Sequence, residues 1–124
     1  MKRILVVDDD DNLRQLVAAT LAQAGYQVEE ARNGQECVEC ARRGFRGVIL
    51  MDVVMPVMDG WEAIRNLAAE DLLEGSAVVM LTGLVSPGED ADGLQELVLD
   101  YLTKPFGASS LRKVVESATL ALQP

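Results

Sequence analysis

The chain has 124 residues, the size of one ordinary domain, and 49% of them are apolar, enough for a single buried core. Lys and Arg number 11 against 20 Asp and Glu; the net charge of −9 repels nucleic acid and anionic membranes and argues against direct DNA binding. There is no histidine, and the cysteines are Cys37 and Cys40 alone, which excludes histidine-built zinc sites, Ser-His-Asp triads and a phosphohistidine carried by this chain itself.

The opening "MKRILVV" has the basic start of a signal peptide, but Asp8 to Asp11 end its apolar part after four residues. No apolar run approaches the roughly 18 residues of a membrane span, so a cytoplasmic location is expected. "RILVV" reads as the first strand. "DNLRQLVAATLAQAG" reads as a helix, with Leu13, Leu16, Val17, Thr20 and Leu21 at helical spacing and Gly25 closing it. Asp10, Asp11 or Asn12 caps its start. "YQVEEA" alternates as a half-buried strand, and "NGQECVECARRG" follows as a helix with Cys37, Val38 and Ala41 inward.

"CVEC" has a redox-like spacing but lies inside that helix. Residues three apart on a helix hold their Cβ atoms about 5–6 Å apart, too far for a disulfide. Cys37 is expected in the core and Cys40 partly exposed, with no redox role.

"GVILMD" is a fully buried strand, "GWEAIRNLAAEDLL" a helix and "SAVVMLTG" another buried strand. "PGEDADGLQELV" is a weaker fourth helix, interrupted by Gly93. "LDYLTK" is a short fifth strand, and "SSLRKVVESATLAL" a last helix capped by Ser109 or Ser110. Five β-α units with continuous apolar strands predict an α/β fold, a doubly wound parallel sheet of five strands and five helices.

In such sheets the ligand site lies outside the carboxyl ends of the strands. Those ends carry Asp8-Asp9, Asp52, Thr82-Gly83 and Lys104-Pro105. The topology therefore brings together three carboxylates, a hydroxyl and an ammonium from distant parts of the chain. Three carboxylates are oxygen ligands for a hard cation such as magnesium.

The stretches "ILVVDDD", "ILMDVVMPVMDGWE", "VVMLTG" and "DYLTKPF" resemble the receiver domain of two-component response regulators, as found alone in chemotaxis-type regulators. The resemblance covers the whole chain with the family's spacing and implies a flavodoxin-like receiver fold. It makes Asp52 the phosphoacceptor, phosphorylated by a sensor histidine kinase or a histidine phosphotransfer protein. It has Asp8, Asp9, Asp52 and the backbone carbonyl of Val54 hold Mg2+, or Mn2+ in its place, with Asp8 acting through a metal-bound water. Thr82 and Lys104 would contact the phosphoryl group, and Gly83 would leave room for it to enter. Pro56 and Gly60 shape the loop after Asp52, and Pro105 is expected to follow a cis bond as in the family. Thr82 and Tyr101 form the switch that alters the surface of the fourth helix, fifth strand and last helix for a downstream protein target or effector domain.

The chain departs from the family where Leu97-Val98 replaces a common Gly-Ala, which leaves the output surface open. Val54 and Leu84 cannot orient a hydrolytic water, so slow loss of the phosphoryl group is expected. Residues 1–124 are expected to form one receiver domain with no effector domain, a signalling module and not a metabolic enzyme. A competing reading is a magnesium-dependent phosphatase of the haloacid dehalogenase type, with Asp8 as nucleophile and Asp10 two residues on.

Overall fold

A computed structural model describes residues 2–83 and 93–123. Five strands form one sheet: β1 (Arg3–Val7), β2 (Gln27–Ala31), β3 (Val48–Asp52), β4 (Ala77–Thr82) and β5 (Val98–Thr103). Their order is β2-β1-β3-β4-β5 and every pairing is parallel. Four α-helices lie among the described residues: α1 (Asp11–Gln23), α2 (Gly34–Arg42), α3 (Gly60–Ala69) and α4 (Ala108–Ala121).

The unbroken apolar strands follow from burial on both faces. Alternation sends Leu5, Val7, Ile49, Met51, Val78 and Met80 to one face, where α2 and α3 cover them with Val38, Ala41, Ile64 and Leu67. Ile4, Val6, Val48, Leu50, Val79 and Leu81 point the other way, against Val17 and Leu21 of α1 and Leu111 and Val115 of α4. Trp61, at the start of α3, is buried among the first set.

Strand order reverses between β1 and β3, since the chain first moves outward to β2 and then returns past β1. That switch point opens a crevice at the carboxyl ends of β1 and β3. Helix starts are held by local chemistry. Asp10 caps α1 by accepting from the N–H groups of Asn12 (3.0 Å) and Leu13 (3.2 Å). Asn33 caps α2, and Asp59 with Glu62 forms a capping box at α3.

Several expectations need correction. The buried stripe of α1 is Arg14, Val17, Ala18 and Leu21; Leu16 is 64% exposed and Thr20 only half-buried. The stripe lies about one residue round from the expected one because it must face both the sheet and the end of β2. Helix α3 stops at Ala69, since Asp71 adopts a left-handed φ of 58° and Leu72 and Leu73 fold back onto the core as loop. Helix α4 starts at Ala108 behind Gly107, with no side-chain cap, so Ser109 and Ser110 lie inside it. Phe106 packs against the α1–α4 core and sets that earlier start. Cys40 is buried like Cys37. The described part of the expected fourth helix is a 3-10 turn, Leu94–Leu97, led by Gly93 at φ 83°. Pro87, Gly88 and Leu84 lie outside the described residues. The extra residue Leu99 bulges β5 against β4 and stands half exposed.

Candidate functional site

Val7 pairs with Ala31 on one side and Met51 on the other, so the chain leaves β1 at the middle of the sheet. Asp8, the next residue, is 1% exposed, and each of its polar atoms has a partner. Its N–H donates to the Ala31 carbonyl (3.1 Å), and its own carbonyl accepts from Arg14 Nη1 (2.9 Å). Its Oδ1 accepts from the Asp10 N–H (2.9 Å) and its Oδ2 from Lys104 Nζ (3.0 Å). Asp9, one residue on, is exposed.

Asp52 ends β3 with its side chain 13% exposed, and its Oδ2 lies 3.3 Å from the same Lys104 Nζ. Lys104 reaches both acids because β5 runs in register with β4, Thr82 beside Thr103, and the Lys104 N–H donates to the Thr82 carbonyl (2.8 Å). The Lys104–Pro105 bond is cis, as expected. Thr82 is buried, and beyond Gly83 and its chain neighbours no described atom lies within 4 Å of where a side chain at Gly83 would begin. Tyr101 packs on the α2–α3 side of the core, with its phenol oxygen buried and without a hydrogen-bond partner among the described residues.

The loop after Asp52 returns tightly. The Gly60 N–H donates to the Val53 carbonyl (2.8 Å), and a Cβ at Gly60 would stand 2.6 Å from the Asp52 carbonyl oxygen. Only glycine lets α3 begin that close to the strand end. Pro56 accepts from the Met58 N–H (2.7 Å) across Val57, which holds φ 71° despite its branched side chain. Val54 is exposed.

Burial pushes the Asp52 carboxyl up from its ordinary value; Lys104 pulls it down, while Asp8 and Asp9 push it further up. One ammonium shared by two carboxylates does not fully offset burial and repulsion. For Lys104, burial pulls the ammonium down, but hydrogen bonding to Asp8 and the charges of Asp52 and Asp8 outweigh it, and the net direction is up. The ammonium therefore stays charged. Carboxylate oxygens of Asp8, Asp9 and Asp52 all lie within 4.8 Å of one another. An octahedral magnesium at about 2.0–2.1 Å from its ligands places oxygens about 3–4 Å apart, so the three acids fit one cation after small movements.

The crevice thus holds the half-buried Asp52 carboxylate beside two further acids and an ammonium shared with Asp8. The structure brings Asp8, Asp9, Asp52, Thr82 and Lys104 to one strand-end crevice and places Tyr101 apart, on the core side of β5. Sequence reasoning passed over Arg14, which sits 7% exposed behind Asp8. The signal was present: Arg14 begins the i, i+3, i+4, i+7 stripe shared with Val17, Ala18 and Leu21.

A family model described as "Response regulator receiver domain" matches residues 4–116. The chain is 34% identical to Protein PilH of Pseudomonas aeruginosa, over 94% of this chain and 97% of that one. It spans 46% of a longer curated relative, the probable transcriptional regulator ycf27 of Porphyra purpurea, at 32% identity. Among solved structures, a CheY-like response regulator receiver domain protein from Methanospirillum hungatei superposes with TM-score 0.93 at 38% identity, covering 98% of this chain and 96% of that one. The receiver domain of sensor histidine kinase PA1611 from Pseudomonas aeruginosa, solved with a magnesium ion coordinated in the active site cleft, gives TM-score 0.83 at 31% identity, covering 95% and 97%. The haloacid dehalogenase alternative finds no support in these likenesses, and its nucleophile, Asp8, is buried with both carboxylate oxygens engaged.

Proposed function

The chain belongs to the response regulator receiver domain family, and from that membership we propose that Asp52 accepts a phosphoryl group from a phosphohistidine on a kinase or phosphotransfer partner. In this step the phosphorus–nitrogen bond of the donor imidazole breaks. A phosphorus–oxygen bond forms to an Asp52 carboxylate oxygen, giving an aspartyl phosphate. Such transfer depends on in-line placement and on neutralising the equatorial oxygens. Lys104, held by Asp8, supplies a fixed positive charge on one side. Asp8, Asp9 and Asp52, with the Val54 carbonyl as the family resemblance implies, would hold magnesium on the other, and the ion would supply charge neutralisation there. The magnesium in the cleft of the PA1611 receiver supports this assignment.

The single observation that carries the reading is Lys104 Nζ bridging Asp8 and Asp52, at 3.0 and 3.3 Å, across the ends of three different strands. Gly60 and Pro56 keep the Asp52 loop tight, and Gly83 adds no side chain at the entrance.

A phosphoryl group brings roughly −1.5 to −2 charge and new acceptor oxygens. The Thr82 hydroxyl turns toward it, and Tyr101 repacks along β5, so that β5 with α4 and the segment before β5 presents a different surface to a downstream protein. Incubation with acetyl phosphate and Mg2+, borohydride trapping and peptide mapping test the reading. The label is expected on Asp52; a label on Asp8, or none with Mg2+ present, overturns it.

A further inference from the structure

We propose that Arg14 is the positioning residue of the acidic crevice: its guanidinium holds the turn that carries Asp8 and Asp9, presetting their carboxylates for a divalent cation. The inference rests on the reading of Asp8, Asp9 and Asp52 as cation ligands. Arg14 is 7% exposed, an unusual place for a charged side chain. Three of its nitrogens address three separate elements. Nη2 pairs with Asp11 in α1 at 2.7 Å, and Nε with Glu30 in β2 at 3.0 Å. Nη1 donates to the Asp8 backbone carbonyl at 2.9 Å.

Division of labour follows from these contacts. The two carboxylates neutralise the guanidinium and orient its plane. The remaining donor is thereby aimed at a neutral oxygen that lies in the peptide unit joining Asp8 to Asp9. Fixing that oxygen fixes the plane of the Asp8–Asp9 peptide and the direction in which Asp9 leaves it. The other polar atoms of Asp8 are held by Ala31, Asp10 and Lys104, so Arg14 completes the set. A lysine carries the same charge on one nitrogen and cannot span the three acceptors. Groups that orient metal ligands in this way typically alter metal affinity 10–100-fold when removed.

Calorimetric titration with MgCl2 tests this on wild type, Arg14→Lys, Arg14→Met and Asp52→Asn, with unfolding midpoints measured in EDTA. The expected result is a Mg2+ Kd raised about tenfold or more in both Arg14 variants at a temperature where each is folded. Should the Met variant fail to fold, the Lys variant decides. Wild-type affinity in folded Arg14→Lys overturns the inference. So does a loss of affinity that only follows the unfolded fraction, since that is the mark of a purely structural residue. No binding by the wild type, or unchanged binding by Asp52→Asn, overturns the cation reading itself, and this inference falls with it.

Discussion

Tyr101 buries its phenol oxygen against the core with no hydrogen-bond partner among the described residues. A buried hydroxyl left without a partner costs about 1–3 kcal/mol. Tyr101→Phe removes that cost, so it is expected to raise the urea unfolding midpoint by the equivalent of about 1 kcal/mol; a lower midpoint contradicts the buried arrangement. Cys37 offers a second test. Burial pushes its thiol up from 9.0 to about 12, with Cys40 pushing the same way. The folded chain therefore keeps this proton above pH 9 while the unfolded chain loses it, so the native state has the higher proton count. Stability is full below pH 9 and falls as pH climbs from about 9 toward about 12, by up to ~1.4 kcal/mol per pH unit from this group. Urea melts at pH 8 and pH 10 should show a steeper alkaline decline in wild type than in Cys37→Ala.

At the scale of elements, helix starts separate what a local pattern settles from what packing settles. Asp59 and Glu62 satisfy each other's backbone groups at α3, a device readable as D-x-x-E. Asp59→Ala is expected to cost about 1 kcal/mol. Ser110 reads equally well as a cap but lies inside α4, behind Gly107. Ser110→Ala is therefore expected to stay within about 0.5 kcal/mol of wild type by thermal melting. The start of α3 also answers to the site. Gly60→Ala drives a Cβ to 2.6 Å from the Asp52 carbonyl oxygen, so the backbone of Asp52, the proposed acceptor, must move. Its expected signature is lost stability together with slowed acetyl phosphate labelling, measured on the same preparation.

For the whole molecule, the crevice concentrates acid on a chain whose net charge is already −9. Asp52 is pushed up by burial first, pulled down by Lys104 and pushed up again by Asp8 and Asp9, with a net rise, so its ionised form costs more in the folded chain than in the unfolded one. Magnesium bound only by the native state stabilises it by about 2.7 kcal/mol at a hundred times Kd. For a domain of this size that amounts to about 10 °C in unfolding midpoint. The rise should be present in wild type and largely absent in Asp52→Asn, as read by differential scanning fluorimetry with and without EDTA. Equal rises in both place the ion elsewhere.

Local repetition determined much of this protein without any structure. Strands with continuous Val, Ile and Leu and helices with apolar residues at three- and four-residue spacing specify a two-sided parallel sheet, because each pattern satisfies one geometry only. The acids and the lysine fall at strand ends by the same count, so their meeting was legible from the element order. Tertiary structure alone decided that one ammonium bridges Asp8 and Asp52, that Arg14 lies buried behind them while Leu16 faces out, and that Tyr101 hides an oxygen with no hydrogen-bond partner among the described residues. These depend on strand order, register and the rotation of a helix about its axis, which arise from contacts between residues up to 96 positions apart; the periodicity of α1 admitted two neighbouring stripes, and packing chose the one that begins at Arg14.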